Sequence, residues 1–200
     1  MAILHKRILV LNADQLRRSR QPSAISRQIK KIKRNEIYIV LDNVLDTYNI
    51  GSIFRLADAV AAKKIYLCGE SEIPPNHRIK KASINTTEVV EWEYCETAME
   101  AIQKVRQSTS KVEKMRLHLR GVKPLKVVAV EQSNKSIPYD QFKYTLPICL
   151  IVGNESDGVA SEVLKEADAI VELPMFGINK SLNVMVSLGI VLYKVIEKIS

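Results

Sequence analysis

At 200 residues, with 46% hydrophobic and 26% charged content, the chain is long enough for one domain with a real core. No apolar run approaches the roughly 20 residues of a membrane span, and the N-terminus lacks a secretory core with a small-residue cleavage site, so cytoplasmic residence is the expectation. A net charge of +8 favours polyanionic partners, RNA or DNA above all, with simple solubility as the competing explanation.

Residues 1–35 read as a basic helical extension. Leu4 to Leu16 has helical character, Gln21-Pro22-Ser23 breaks it, and Ile25 to Arg34 follows as a basic amphipathic stretch. Arg27, Lys30, Lys31 and Arg34 are its candidate RNA contacts, since clustered cations grip phosphates without reading sequence. Residues 36–200 read as a single α/β domain. Glu36 to Leu41 is a strand ended by Asp42-Asn43. Asn49 to Val60 is a helix with Asn49 as its N-cap and Ile50, Ile53, Phe54 and Ala57 on its inward face. Lys64 to Cys68 is a strand that completes a βαβ unit, and a loop with Pro74-Pro75 runs to Asn76. Val89 to Tyr94 is a strand and Thr97 to about Arg106 a helix. Gln107 to Lys126 follows as a basic helix and a turn.

Lys126 to Val130 is a strand, and Glu131 to Tyr144 a polar connection. Ile148 to Val152 is a buried strand that empties into a glycine-bounded loop, Gly153 to Gly158, before a helix starting near Val159. Ala169 to Leu173 is a strand stopped by Pro174. The last helix follows Lys180-Ser181-Leu182-Asn183, with a capping Ser, and is apolar nearly all round from Val184, which predicts burial against the sheet and against a partner. Alternating elements, with strands too apolar for one-sided burial, predict a mostly parallel sheet with helices on both faces. The cysteines Cys68, Cys95 and Cys149 and the histidines His5, His77 and His118 are scattered. They predict apolar filling, not a redox or metal site, and no metal is expected.

Three polar clusters stand at element ends, where open α/β sheets bind ligands. They are Asn49 to Arg55 with Gly51, Gly153-Asn154-Glu155 with Gly158, and Ser181-Leu182-Asn183. Each alone has a plain structural explanation: a helix cap, a tight turn, or a solvated loop charge.

Their order and context resemble the SpoU/TrmH-type RNA ribose methyltransferases of the SPOUT superfamily. DNVLDTYNIGSIFRLADAV is similar to that family's first motif, LIVGNESDGV to its second, and VELPMFGINKSLNVMVSLGIVLY to its third. The resemblance implies a deep C-terminal trefoil knot, in about residues 146–195, that holds S-adenosyl-L-methionine in a bent form. It also implies a homodimer and methylation of a ribose 2′-hydroxyl in tRNA or rRNA. On the matching positions Arg55 stabilises the developing alkoxide, with Asn49 and Glu155 holding it and the ribose. Gly153, Leu173 and Leu182 line the cofactor pocket, Ala129 or Val130 closes its other side, and Ser181 and Asn183 complete the third motif's wall. Met185 and Ser187 stand where the family usually has small residues, and a separate ribosomal-protein-like N-terminal domain is not expected in this sequence. A non-catalytic RNA-binding or assembly factor is the alternative. A Rossmann nucleotide enzyme fits less well, because the first helix lacks G-x-G-x-x-G.

Overall fold

Apolar residues at alternate positions of one strand face opposite sides of its sheet, and here both sides are covered. On β1 (Asn35–Asp42), Ile37, Ile39 and Leu41 enter one core while Tyr38 and Val40 enter another. The computed structural model describes residues 32–115 and 123–199, without the side chains of 111–115. Arg27, Lys30 and Lys31 of the basic extension lie outside the described residues, as does part of the Gln107–Lys126 stretch.

After β1 come α1 (Thr47–Ala59), β2 (Ala62–Cys68), α2 (His77–Ser83), a single 3₁₀ turn (Thr86–Glu88), β3 (Trp92–Cys95) and α3 (Ala98–Met115). The chain continues through β4 (Lys126–Val130), the short β5 (Ile137–Pro138), β6 (Ile148–Gly153), α4 (Ser161–Glu166), β7 (Ala169–Glu172) and α5 (Val184–Ile199). The seven strands form one sheet in the order β3-β2-β1-β6-β4-β7-β5, with every pairing parallel. One face packs against α1, α2 and α5 through residues such as Phe54, Ile79 and Leu192. The other packs against α3 and α4 through Ile102, Val105 and Val163. The expected parallel sheet with helices on both faces is the architecture found. Among the described residues no helix is long and apolar enough to cross a membrane.

Several boundaries differ from the sequence expectation. Helix α1 begins two residues earlier than Asn49, because the Asp46 carboxylate accepts from the Tyr48 N–H at 2.7 Å and takes the N-cap position. Asn49 therefore lies inside the first turn, where it is buried. Helix α2 falls in a stretch with no expected element; Asn76 caps it by accepting from the N–H groups of Arg78 and Ile79. Its close approach to α1 explains Gly51, where a Cβ would strike Ala82 and the Ile79 carbonyl. Strand β3 starts at Trp92 rather than Val89, since Val89 closes the 3₁₀ turn through its N–H to the Thr86 carbonyl. Helix α3 runs on past Arg106, and α4 starts at Ser161 rather than Val159.

Helix α5 is less enclosed than its composition suggests. Leu188, Val191, Leu192 and Val195 are fully buried, while Val186, Ile190 and Tyr193 on the opposite side remain 39%, 37% and 56% exposed. The three cysteines all fill the core on the α3 side, and burial pushes the Cys149 thiol up to about 12.

The central strand β6 is buried along its whole length. Leu150→Ala should therefore lower unfolding stability by about 2–5 kcal/mol, the usual cost of emptying a core leucine site. Urea titration followed by circular dichroism measures it.

Candidate active site

Because the strands are parallel, β1, β6, β4 and β7 all end at the same edge of the sheet. Asp42 pairs with Gly153 in the β1–β6 register, so the loops leaving these two strands start side by side. The loop after β6 is a closed turn: Asn154 and Gly158 exchange two backbone hydrogen bonds of 3.1 and 2.9 Å. The Asn154 side chain accepts from the N–H groups of Ser156 and Asp157 and donates to the Asn43 carbonyl. Gly153 packs so closely on the backbone of Gly158 and Val159 that a Cβ would collide with it, and Gly158 itself has φ +71°.

Three segments far apart in sequence meet above this edge. Glu155 Oε1 accepts from the Asn49 side-chain amide at 3.0 Å, and Asn49 Oδ1 accepts from the Asn183 amide at 3.0 Å. Glu155 also accepts from the backbone N–H groups of Leu45 and Asp46 at 3.1 and 3.2 Å. Asn183, not Ser181, caps α5 by accepting from the Met185 and Val186 N–H groups, and the helix begins at Val184 as expected. Partial burial works against the Glu155 charge, but the Asn49 amide and the two backbone donors outweigh it and hold the carboxyl below its ordinary value.

Beside this chain of hydrogen bonds lies an open cleft. Its apolar walls are Val130, Val152, Gly153, Val171, Leu173 and Leu182. Its polar rim carries Glu131, Gln132, Glu155, Ser156, Glu172 and Ser181. Among the described residues no Lys or Arg lines it, although the chain as a whole is strongly basic. An apolar slot with an acidic rim suits a ligand that combines an aromatic base with positive charge. Gly153, Leu173, Leu182, Val130 and Ser181 thus share one cleft, as expected. Ala129 does not reach it, being wholly buried within the sheet one residue short of the strand end.

Two expected arginines stand elsewhere. Arg55 projects from the exposed side of α1, the side that carries Tyr48, and does not line the cleft. Its side chain has no hydrogen bond or ion pair to another described residue. Arg34 is engaged within the domain: its guanidinium donates to the Val89 carbonyl at 2.7 Å and pairs with Asp58 at 3.5 Å, leaving its side chain 16% exposed. It is unavailable as a free phosphate contact.

Residues 36–193 match the profile of the SpoU rRNA Methylase family. The chain belongs to this family. It is 30% identical over 171 residues to the tRNA (guanosine(18)-2′-O)-methyltransferase of Aquifex aeolicus, a match covering 84% of this chain and 72% of that protein. It is 24% identical to the Escherichia coli K12 protein of the same name, over 81% of this chain and 63% of the relative. The AdoMet-bound rRNA methyltransferase from Sinorhizobium meliloti superposes with a TM-score of 0.66 at 27% identity, over 86% of this chain and 60% of that one. The chain thus spans under two thirds of several relatives.

Asn49 of the first polar cluster thus meets the second and third at one strand edge, while Arg55 of the first does not. Sequence reasoning missed Glu131, Gln132 and Glu172 as cleft residues. The signal was present: each sits at or just past the carboxyl end of a strand, β4 or β7.

Glu155 yields a pH prediction. Its folded pKa lies below the ordinary 4.5, so its stabilisation is fully present above that value and is lost as pH falls through the lower folded value. Glu155→Gln should be less stable than the parent at pH 7, and the gap should close in acid. Thermal melts across pH 3–7 (approximately the carboxylate range) measure this.

Proposed function

We propose that the chain is an S-adenosylmethionine-dependent RNA methyltransferase acting on a ribose 2′-hydroxyl of tRNA or rRNA. The observation that carries it is the Asn183–Asn49–Glu155 hydrogen-bond chain, which joins all three family motif segments beside an acidic, apolar-walled cleft. The names of the relatives above support the same reaction and substrate class.

The cleft fits the cofactor. Val130, Val152, Leu173 and Leu182 would hold its adenine, and the Glu131 and Glu172 carboxylates would favour its ammonium and sulfonium. The cofactor, when bound, supplies an activated methyl group. The residues of the chain then have to bind, orient and manage one proton. Asn49, clamped between Glu155 and Asn183, gives the site a fixed wall. Ser181 lies on the same rim and completes it. An arginine keeps its proton at working pH, so Arg55 is not the base. Its planar fork grips an RNA phosphate and stabilises the alkoxide as charge develops on the 2′-oxygen.

Arg55 faces away from the cleft of its own chain, and this favours a homodimer. The exposed stripe of α5 (Val186, Ile190, Tyr193) lies beside α1, where Tyr48 on the helix and Leu45 just before its N-cap are 50% and 47% exposed. The helices meet where Leu56 packs on Gly189. Pairing two copies through this surface covers the apolar stripe and brings Arg55 of one copy toward the cleft of the other. A trefoil knot within about residues 146–195 agrees with the strand order, in which β6 enters between β1 and β4 before the chain passes beyond β4 to β7. The basic extension, with Arg27, Lys30 and Lys31, supplies further phosphate contacts. The setting is the cytoplasm.

Arg55→Ala should bind S-adenosylmethionine nearly as the parent does yet transfer methyl groups on the order of 100- to 1000-fold more slowly. Tritiated methyl transfer into RNA, beside calorimetry, measures both. Methyl found on a base would exclude the ribose reaction, and cofactor binding without transfer would leave an RNA-binding factor. Mixing Arg55→Ala with the cleft variant Leu173→Arg should restore about a quarter of the activity if each site draws on two chains. No recovery on mixing would exclude the shared site.

A further inference from the structure

The loop after β6 is held at its far end by two carboxylates from the strands on either side. Glu131, the residue after β4, accepts from the Val159 N–H through Oε2 at 2.9 Å. Asp42, the last residue of β1, accepts from the Ala160 N–H through Oδ2 at 2.9 Å. Since β1 and β4 flank β6, two consecutive amides are gripped from opposite sides. Ala160 precedes α4 and has no capping side chain; its own N–H and that of Val159 lie before the helix, outside its hydrogen-bond ladder, and the two carboxylates satisfy them.

Asp42 is the unusual member. It is 3% exposed, and its second oxygen accepts from the Asn43 amide at 2.9 Å. Burial pushes its carboxyl up, against the pull of the Ala160 and Asn43 donors. Asp42 does not line the cleft, so it meets neither cofactor nor RNA there. A carboxylate kept in the interior at a cost in desolvation needs another use.

The loop between the anchors is tied into one unit, because the paired Asn154–Gly158 bonds close it and Gly153 packs on Gly158 and Val159. Its placement then depends on its two ends, β6 on one side and Val159–Ala160 on the other. Gly153, Glu155, Ser156 and Gly158 all line the cleft, so a shift at Val159–Ala160 displaces a whole wall.

We infer that Asp42 and Glu131 form a two-sided clamp on the Val159 and Ala160 amides that positions the Gly153–Gly158 wall for the cofactor. Asp42 serves purely as a positioning residue. This rests on the assignment of the cleft to S-adenosylmethionine.

The test uses the full chain with Asp42→Ala, Asp42→Asn, Glu131→Ala, Glu131→Gln and the Asp42→Ala/Glu131→Ala double variant. Ala removes the acceptor at either position, while Asn at 42 keeps one carbonyl for Ala160 and Gln at 131 keeps one for Val159. Calorimetry with S-adenosylmethionine should show a loss on the order of tenfold for Asp42→Ala and for Glu131→Ala, the size of one charge-assisted contact. Asp42→Asn should recover most of it, and Glu131→Gln only part, because the Glu131 charge also faces the cofactor. The double variant should lose less than the product of the single losses, because releasing one jaw already frees the loop. In transfer assays, KM for the cofactor should rise more than kcat falls. Amide hydrogen exchange at Val159 and Ala160 should quicken in the Ala variants with no cofactor present and stay near the parental rate in Asp42→Asn and Glu131→Gln. Parental exchange in Asp42→Ala would overturn the clamp, as would fully multiplicative losses or an exchange in Glu131→Gln as fast as in Glu131→Ala. Should Asp42→Ala fail to fold, exchange in the Glu131 pair decides alone. A parent chain that binds no S-adenosylmethionine, with Ala variants that show the predicted exchange, would overturn the cofactor assignment and uphold the clamp.

Discussion

The insertion of β6 between β1 and β4 is the constraint on which the rest of the structure depends. It fixes Gly153 beside Asp42 and sets the ends of four parallel strands along one edge. Every polar group of the candidate site hangs from that edge or from a helix that starts above it. The energetic source is ordinary: β6 is buried on both faces, and its Ile148, Leu150 and Val152 are matched by Cys149 and Ile151 on the other side. Once those side chains are sorted into two cores, register leaves no freedom in where the loops begin.

Asn49 shows how such a frame turns a common residue into a specific one. An asparagine near a helix start usually caps it. Here Asp46 takes the cap, and Asn49 is left to join Glu155 and Asn183 with one amide, donating to the first and accepting from the second. The side chain is buried and has both polar atoms satisfied, so it resists rotation.

The class of fold was legible in the sequence because continuous apolar runs such as Ile148–Val152 have no one-sided solution. Gly153, Leu173 and Leu182 were legible as cleft residues from the motifs, and the structure groups them. Other features were not. Helix α2 is short and cationic, with only Ile79 and Ser83 buried, so its periodicity is too weak to see. The cap at Asp46 and the cap at Asn49 use interchangeable chemistry, and only tertiary partners for Asn49 decide between them. Arg34 looked like one more cation in a basic run; its Val89 and Asp58 partners lie far along the chain, beyond any local pattern. Glu131 was read as part of a polar connection, since nothing in its neighbours announces an amide at Val159.

The burial of Cys68, Cys95 and Cys149 has a practical side. These are all the thiols in the chain, and desolvation keeps each of them protonated and shielded. Buried, protonated thiols are poor nucleophiles, so the folded protein should react slowly with maleimides and similar electrophiles. A cysteine introduced at an exposed site such as Phe176, on the loop beside the cleft, becomes the sole point of attachment for a fluorophore or spin label. The three native thiols then contribute little background to site-directed spectroscopy.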